Sequence, residues 1–253
     1  MNRLLQIGLS LGISLSLYGV SLNHAFNELK ENRYGFAFVD VGVSEEDLTH
    51  FQRLDIQREW IYHHFGELDE LPNVISDFIC EMGENERALA SQIAAQLTQI
   101  VHEVIEVSGK QTAWVNLQSF IPTNIYDLPR WHWDGYFYAP EGPDELLCKF
   151  AMTFVGPPTL FYLLPPELRQ TAARHLQNRH YMHRFCQEEN IVSAKAGEGA
   201  IFLGGQGAGV SALHSAPPIH ENRFFFSIVP CSESQLPSLQ KRVLAVYPKD
   251  SRH

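Results

Sequence analysis

The apolar residues of this chain change their repeat at Gly109, and that change restricts the fold more than any other feature. Between Glu84 and Ser108, Leu89, Ile93, Leu97, Ile100, Val101 and Val104 recur at steps of three and four, which puts them on one face of a long helix. Gly109 follows, and glycine takes the left-handed conformation of a helix end without steric cost. Upstream, Ser44-Glu45-Glu46-Asp47 resembles a capping box, and Leu48, Phe51, Leu54, Trp60 and Ile61 continue at mostly helical spacings. Beyond Gly109 the pattern becomes short strand-like runs over 113–121, 130–138, 146–155, 199–204 and 223–230. Pro, Gly, Asn and Asp separate them, as turns require, and only 166–184 reads as an inserted helix. The expectation is an α+β domain over 27–253, in which a helical layer (44–109) covers a β-sandwich or barrel (111–230).

Residues 1–26 stand apart. After Arg3 no charged residue occurs until Glu28, so residues 4–22 read as a signal sequence or membrane anchor. Ile7, Leu9, Leu11, Ile13, Leu15 and Leu17 also alternate with small or polar residues, the period of a half-buried strand. Both readings stand: export or anchoring follows from the first, a cytoplasmic protein from the second. The chain has 19 basic against 29 acidic residues and a net charge of −10, the wrong sign for tracking a phosphate backbone, so nucleic acid is a disfavoured partner. Its four cysteines form no CxxC pair, which encodes neither a zinc knuckle nor a dense disulfide scaffold. They read as reduced and buried.

His132 and Asp134 carry the chemistry. Alternate residues of a strand share a face, so both side chains can reach one metal. With 12 histidines and 29 acidic residues in 253, chance supplies roughly 1.4 such His-x-acid triplets, so the triplet alone proves little. Its company adds weight: His214 lies far downstream, and Arg223 opens the last strand-like run nine residues after it. Two imidazoles and a carboxylate on one face hold Fe(II) and leave adjacent coordination sites open. The ordinary alternative is a hydrogen-bonded polar cluster in a β-protein.

The order His132-x-Asp134, His214, Arg223 resembles the signature of Fe(II)/2-oxoglutarate-dependent dioxygenases. The likeness extends over roughly Trp114 to Pro230 and includes the glycine turn and apolar strand of 195–203. It implies a double-stranded β-helix (jelly-roll, cupin-like) with helices packed outside. It implies His132, Asp134 and His214 as ligands of Fe(II), with 2-oxoglutarate and O2 as cosubstrates and a small-molecule or peptide substrate. Arg223 would then grip the far carboxylate of 2-oxoglutarate, with Ser227 adding a hydroxyl, since a guanidinium matches a carboxylate with two prongs. In one branch of the family a serine follows that arginine by two residues; here the position is Phe225. Lys149, 17 residues after His132, stands near where jumonji-type members place a lysine for the same carboxylate, so two cations compete and Arg223 is preferred. The alternative to an oxygenase is a non-catalytic cupin-like module that binds a metal or small ligand.

Several residues invite other readings. Tyr136 continues the face of His132 and Asp134, and either lines a substrate pocket or simply packs. Trp133, between them, must face away. Arg169, Arg174, Arg179 and Arg184 recur every five residues, which scatters them around a helix and marks a solvated surface. The glycine-rich stretch 204–209 lacks a following Lys-Ser/Thr, so it is a turn rather than a phosphate loop.

Overall fold

The computed structural model describes residues 19–124, 127–142, 145–205 and 210–247. Most of the N-terminal apolar run therefore lies outside the described residues, as do 206–209 of the glycine-rich stretch and 125–126 and 143–144 of two turns. The chain runs β1 (Val20–Ser21), α1 (Leu22–Glu28), β2 (Phe36–Asp40), α2 (Glu45–Gln52), β3 (Trp60–His64), α3 (Leu71–Met82) and α4 (Arg87–Ser108). It continues through β4 (Thr112–Phe120), β5 (Cys148–Val155), β6 (Leu160–Tyr162), α5 (Arg169–His175), α6 (Arg179–Phe185) and β7 (Ile191–Ser193). The last elements are β8 (Glu198–Leu203), β9 (His214–Ser215), β10 (Arg223–Cys231) and α7 (Leu236–Val246). No helix among the described residues is long and apolar enough to cross a membrane.

Two sheets form, which makes the domain α+β. The larger has the order β1-β2-β8-β5-β10-β4-β3 and is antiparallel except for β1 beside β2. The smaller has the order β7-β6-β9. The alternation of β10 gives the large sheet its two faces. Phe224, Phe226 and Ile228 point outward into an apolar core with Ile93, Leu97 and Val101 of α4 and Ile75, Phe78 and Ile79 of α3. Arg223, Phe225 and Ser227 take the opposite, inner face, where Phe225 packs with Ala151, Ala200, Phe202 and, from the small sheet, Phe161.

The long helix ends where expected, with Gly109 in the left-handed region at φ 65°. Ser44 and Asp47 do form a reciprocal capping box. Four expectations need correction. The second helix stops at Gln52, and Trp60 and Ile61 lie on β3, paired with β4; an aromatic and β-branched run gains more from a sheet edge than from another helical turn. The inserted helix is two short helices, because Asn178 caps α6 through the Tyr181 N–H. Arg169 is not solvated: it is buried and donates to the Ser211 and Arg33 carbonyls, tying α5 to two loops. Residues 130–138 form no strand and contribute one isolated bridge, His132 to His214. All four cysteines are free, three buried and Cys80 half-buried.

Candidate metal centre

The bridge is what assembles the site. His132 N–H donates to the His214 carbonyl at 2.9 Å and His214 N–H to the His132 carbonyl at 3.1 Å. Residues paired this way project side by side, and the two rings lie 4.3 Å apart. Asp134 follows two residues on, its carbonyl held by the Gly205 N–H at 3.0 Å. Its Oδ1 lies 3.8 Å from His132 Nε2 and its Oδ2 3.7 Å from His214 Nε2. One donor atom from each of the three residues falls within 4.8 Å of the others. Ligands at ~2.1 Å on adjacent corners of an octahedron sit ~3 Å apart, so a small closing movement would let one ion take all three.

The other ring nitrogens decide whether these histidines suit a metal. His132 Nδ1 lies 2.8 Å from the Arg130 carbonyl and His214 Nδ1 3.0 Å from the Ala212 carbonyl. A carbonyl only accepts, so both Nδ1 atoms carry a proton, and in the neutral ring it is Nε2 that offers a lone pair. Orienting bonds of this kind are what ligating histidines make. Burial, then the nearby His132, pushes the His214 pKa down to about 3, which keeps it neutral. Burial works to raise the Asp134 pKa, but the charge of Lys149, with its hydrogen bond, holds the carboxyl well below the usual carboxylate range. Two imidazoles whose Nε2 atoms face one carboxylate fit a divalent transition metal.

The two candidate cations are brought to different places. Lys149 Nζ lies 3.2 Å from Asp134 Oδ2, against the triad itself. Arg223 is 2% exposed. Its Nε donates to the Pro157 carbonyl at 2.9 Å, and its Nη2 to Thr153 Oγ1 and Thr159 Oγ1, each at 3.1 Å. The Phe225 and Phe120 rings lie 4.6 and 5.8 Å from the guanidinium. Among the described residues no carboxylate pairs with it, and burial lowers its pKa to about 9. A shallow cleft runs beside its hydroxyl partners, lined by Ala151, Thr153, Thr159, Phe161 and Ala200, with Lys195 and Glu198. Ser227 shares the face of Arg223, and its Oγ takes a long hydrogen bond, 3.5 Å, from Asn116 Nδ2.

The remaining expected residues fall outside this cluster. Tyr136 is 54% exposed and its carbonyl accepts from Arg242, so its ring is not packed in a core. Trp133 is partly buried against Trp131, Tyr162 and Leu164. Two further polar residues were not legible from any motif. His63 on β3 stands opposite Asn116 on β4, and His63 Nε2 and Asn116 Oδ1 are buried without a hydrogen-bond partner. Only the strand register brings them together. Thr153 and Thr159 likewise gain meaning only once Arg223 is placed.

No protein-family model and no curated protein matches the chain. Several solved structures are similar in shape. A dioxygenase for auxin oxidation from rice superposes with a TM-score of 0.47 at 8% identity, covering 89% of this chain and 90% of that one. A prolyl-4-hydroxylase from Pseudomonas putida gives 0.41 at 13% identity, covering 83% and 98%. HygX from Streptomyces hygroscopicus, with nickel and 2-oxoglutarate bound, gives 0.43 at 11% identity, covering 82% and 86%.

Proposed function

We propose that the protein is an Fe(II)- and 2-oxoglutarate-dependent oxygenase of the hydroxylase type, on a double-stranded β-helix, acting on a small-molecule or peptide substrate. The observation that carries this reading is Arg223. A purely structural metal site has no use for a guanidinium buried among hydroxyls and aromatic rings and, among the described residues, paired with no carboxylate. Burying a charge without a partner is costly, so the position is best explained by an anion that arrives. A dicarboxylate fits: one end reaches the triad while the other meets Arg223. The winding of the chain supports the fold. From β4 in the large sheet it passes to the His132 bridge beside the small one, back to β5, then to β6 and β7, β8, β9 and β10. Repeated crossing between two facing sheets is what a double-stranded β-helix requires.

In this reading His132 and His214 bind the metal through Nε2 and Asp134 through a carboxylate oxygen. Fe(II), with 2-oxoglutarate and O2, supplies an oxidant able to hydroxylate a C–H bond. The carbonyls of Arg130 and Ala212 fix the tautomers. The Pro157 carbonyl takes the Nε proton and Thr153 and Thr159 the two Nη2 protons, which fixes the guanidinium and leaves its two Nη1 protons for an anion, and Ser227 offers a hydroxyl on the same face.

The test is to titrate 2-oxoglutarate into the anaerobic, iron-loaded protein and follow the metal-to-ligand absorption band. Wild type should give the band. Asp134→Asn should bind no iron. Arg223→Leu should keep iron but need roughly 30-fold or more additional 2-oxoglutarate, since truncating one partner of a buried charge pair costs about 2 to 5 kcal/mol. If wild-type protein binds iron and gives no band, the oxygenase reading is replaced by that of a metal-binding module.

A further inference from the structure

We propose that Lys149 makes metal binding and anion binding depend on each other, holding the Asp134 carboxylate when the metal is absent and turning to a carboxylate of the cosubstrate when it is present. The proposal rests on the metal-site reading above. Asp134 Oδ2 is shared: Lys149 Nζ lies 3.2 Å from it and His214 Nε2 3.7 Å. An oxygen aimed at the metal position is thus already hydrogen-bonded to a cation. The ammonium is enclosed, with its side chain 13% exposed and the Phe202 and Phe137 rings 5.8 and 5.9 Å away. A divalent ion arriving alone would place three positive charges around one carboxylate in surroundings that screen them poorly.

Among the described residues Asp134 is the one anion paired with Lys149; Glu198 shares the inner face but lies four residues along β8 from Phe202. Phe202 is the register partner of Lys149 on β8, and Ala151 and Ser227 lie beyond. Asn116, next to Ser227, is also neutral. The missing negative charge must come from outside, and a carboxylate bound at the metal would supply it. Arg223 does not compete for that end. Its partner Thr153 sits four residues along β5 from Lys149, ~13 Å at strand rise. Lys149 is a positioning residue in this scheme: it acts through Asp134, and the consequence is thermodynamic coupling, which must be reciprocal.

The experiment measures Mn(II) affinity from the free-Mn(II) paramagnetic resonance signal, with and without saturating 2-oxoglutarate. The proteins are wild type, Lys149→Met, Lys149→Gln and Lys149→Arg, each checked for native circular dichroism. In wild type 2-oxoglutarate should tighten Mn(II) by roughly tenfold or more, within the usual range of coupling. Lys149→Met and Lys149→Gln should bind Mn(II) alone roughly tenfold tighter than wild type and lose most of the coupling, about threefold remaining or less. Lys149→Arg should keep the wild-type pattern. A structural role for Lys149 would weaken metal binding in the Met and Gln variants, and unchanged or weaker affinity there overturns the proposal while leaving the metal site standing. If wild type and both neutral variants bind no Mn(II), the metal-site reading fails, and the proposal with it.

Discussion

His63 shows how one neighbour sets the state of a buried group. Trp114 Nε1–H donates to His63 Nδ1 at 3.2 Å, so the neutral ring must carry its proton on Nε2. Burial, helped by the charge of Lys149, pushes the His63 pKa down from 6.5 to about 4. The unfolded chain therefore takes up this proton first as pH falls. The stability that depends on a neutral His63 is complete above pH 6.5 and is lost as the pH approaches 4. His214, pushed down to about 3, adds to the loss in the same window. His63→Gln keeps an acceptor for Trp114 but cannot titrate. Its urea midpoint should fall less than that of wild type between about pH 7 and pH 4.5. Identical pH dependence in the two proteins would show that His63 is not a source of acid lability.

Elements hold the site through their turns as well as their strands. Gly156, just after β5, has φ +78°, and a Cβ there would lie 2.2 Å from the Asn222 carbonyl and 3.1 Å from the Arg223 Cα. An alanine would adopt a left-handed conformation costing about 1–2 kcal/mol and push on the residue that begins β10. Gly156→Ala should therefore lose at least that much stability and also weaken 2-oxoglutarate binding. Gly142→Ala, whose Cβ would meet nothing within 4 Å, should change neither. Chemical denaturation and the absorption titration separate the two effects, and a Gly156→Ala protein with wild-type 2-oxoglutarate affinity would sink the link to Arg223. The same scale explains what the sequence discloses. α4 has 22 residues and β4 and β10 have nine each, enough to repeat a period several times. β6 and β7 have three residues and β9 two, too few to show alternation, so the small sheet was invisible although it positions His214. His132 and Asp134 were paired on the premise of a strand, yet His132 is placed by its backbone bridge to β9. The residue types were legible; the device that aligns them was not.

At the scale of the whole molecule, the large sheet divides its work between its faces. The outer face is apolar against α3 and α4, while the inner face carries Lys149, Asn116, Ser227 and Arg223. Stability and binding should therefore respond in opposite ways to one inner-face change. Among the described residues Arg223 is buried with only neutral hydrogen-bond partners, so folding desolvates its charge without an ion pair to offset the cost. Replacing buried ionic groups with apolar ones of similar volume is often neutral or stabilising. Arg223→Leu leaves the Pro157 carbonyl without its donor, which offsets part of the gain, but the Thr153 and Thr159 hydroxyls can rotate to other acceptors. The ligand-free variant should be between unchanged and about 2 kcal/mol more stable than wild type. On the metal-loaded protein, 2-oxoglutarate at 100 times its dissociation constant should stabilise wild type by roughly 2.7 kcal/mol through mass action, and a roughly 30-fold weaker affinity in Arg223→Leu should cut this increment to about 0.9 kcal/mol. Leu97→Ala, on the outer side, should do the reverse: about 2–5 kcal/mol less stable, with the ligand increment retained. Denaturant midpoints of the three proteins, with and without Mn(II) and 2-oxoglutarate, test this division. A destabilised Arg223→Leu protein that still gains the full ligand increment would mean that the buried arginine is a structural clamp and that the anion binds elsewhere.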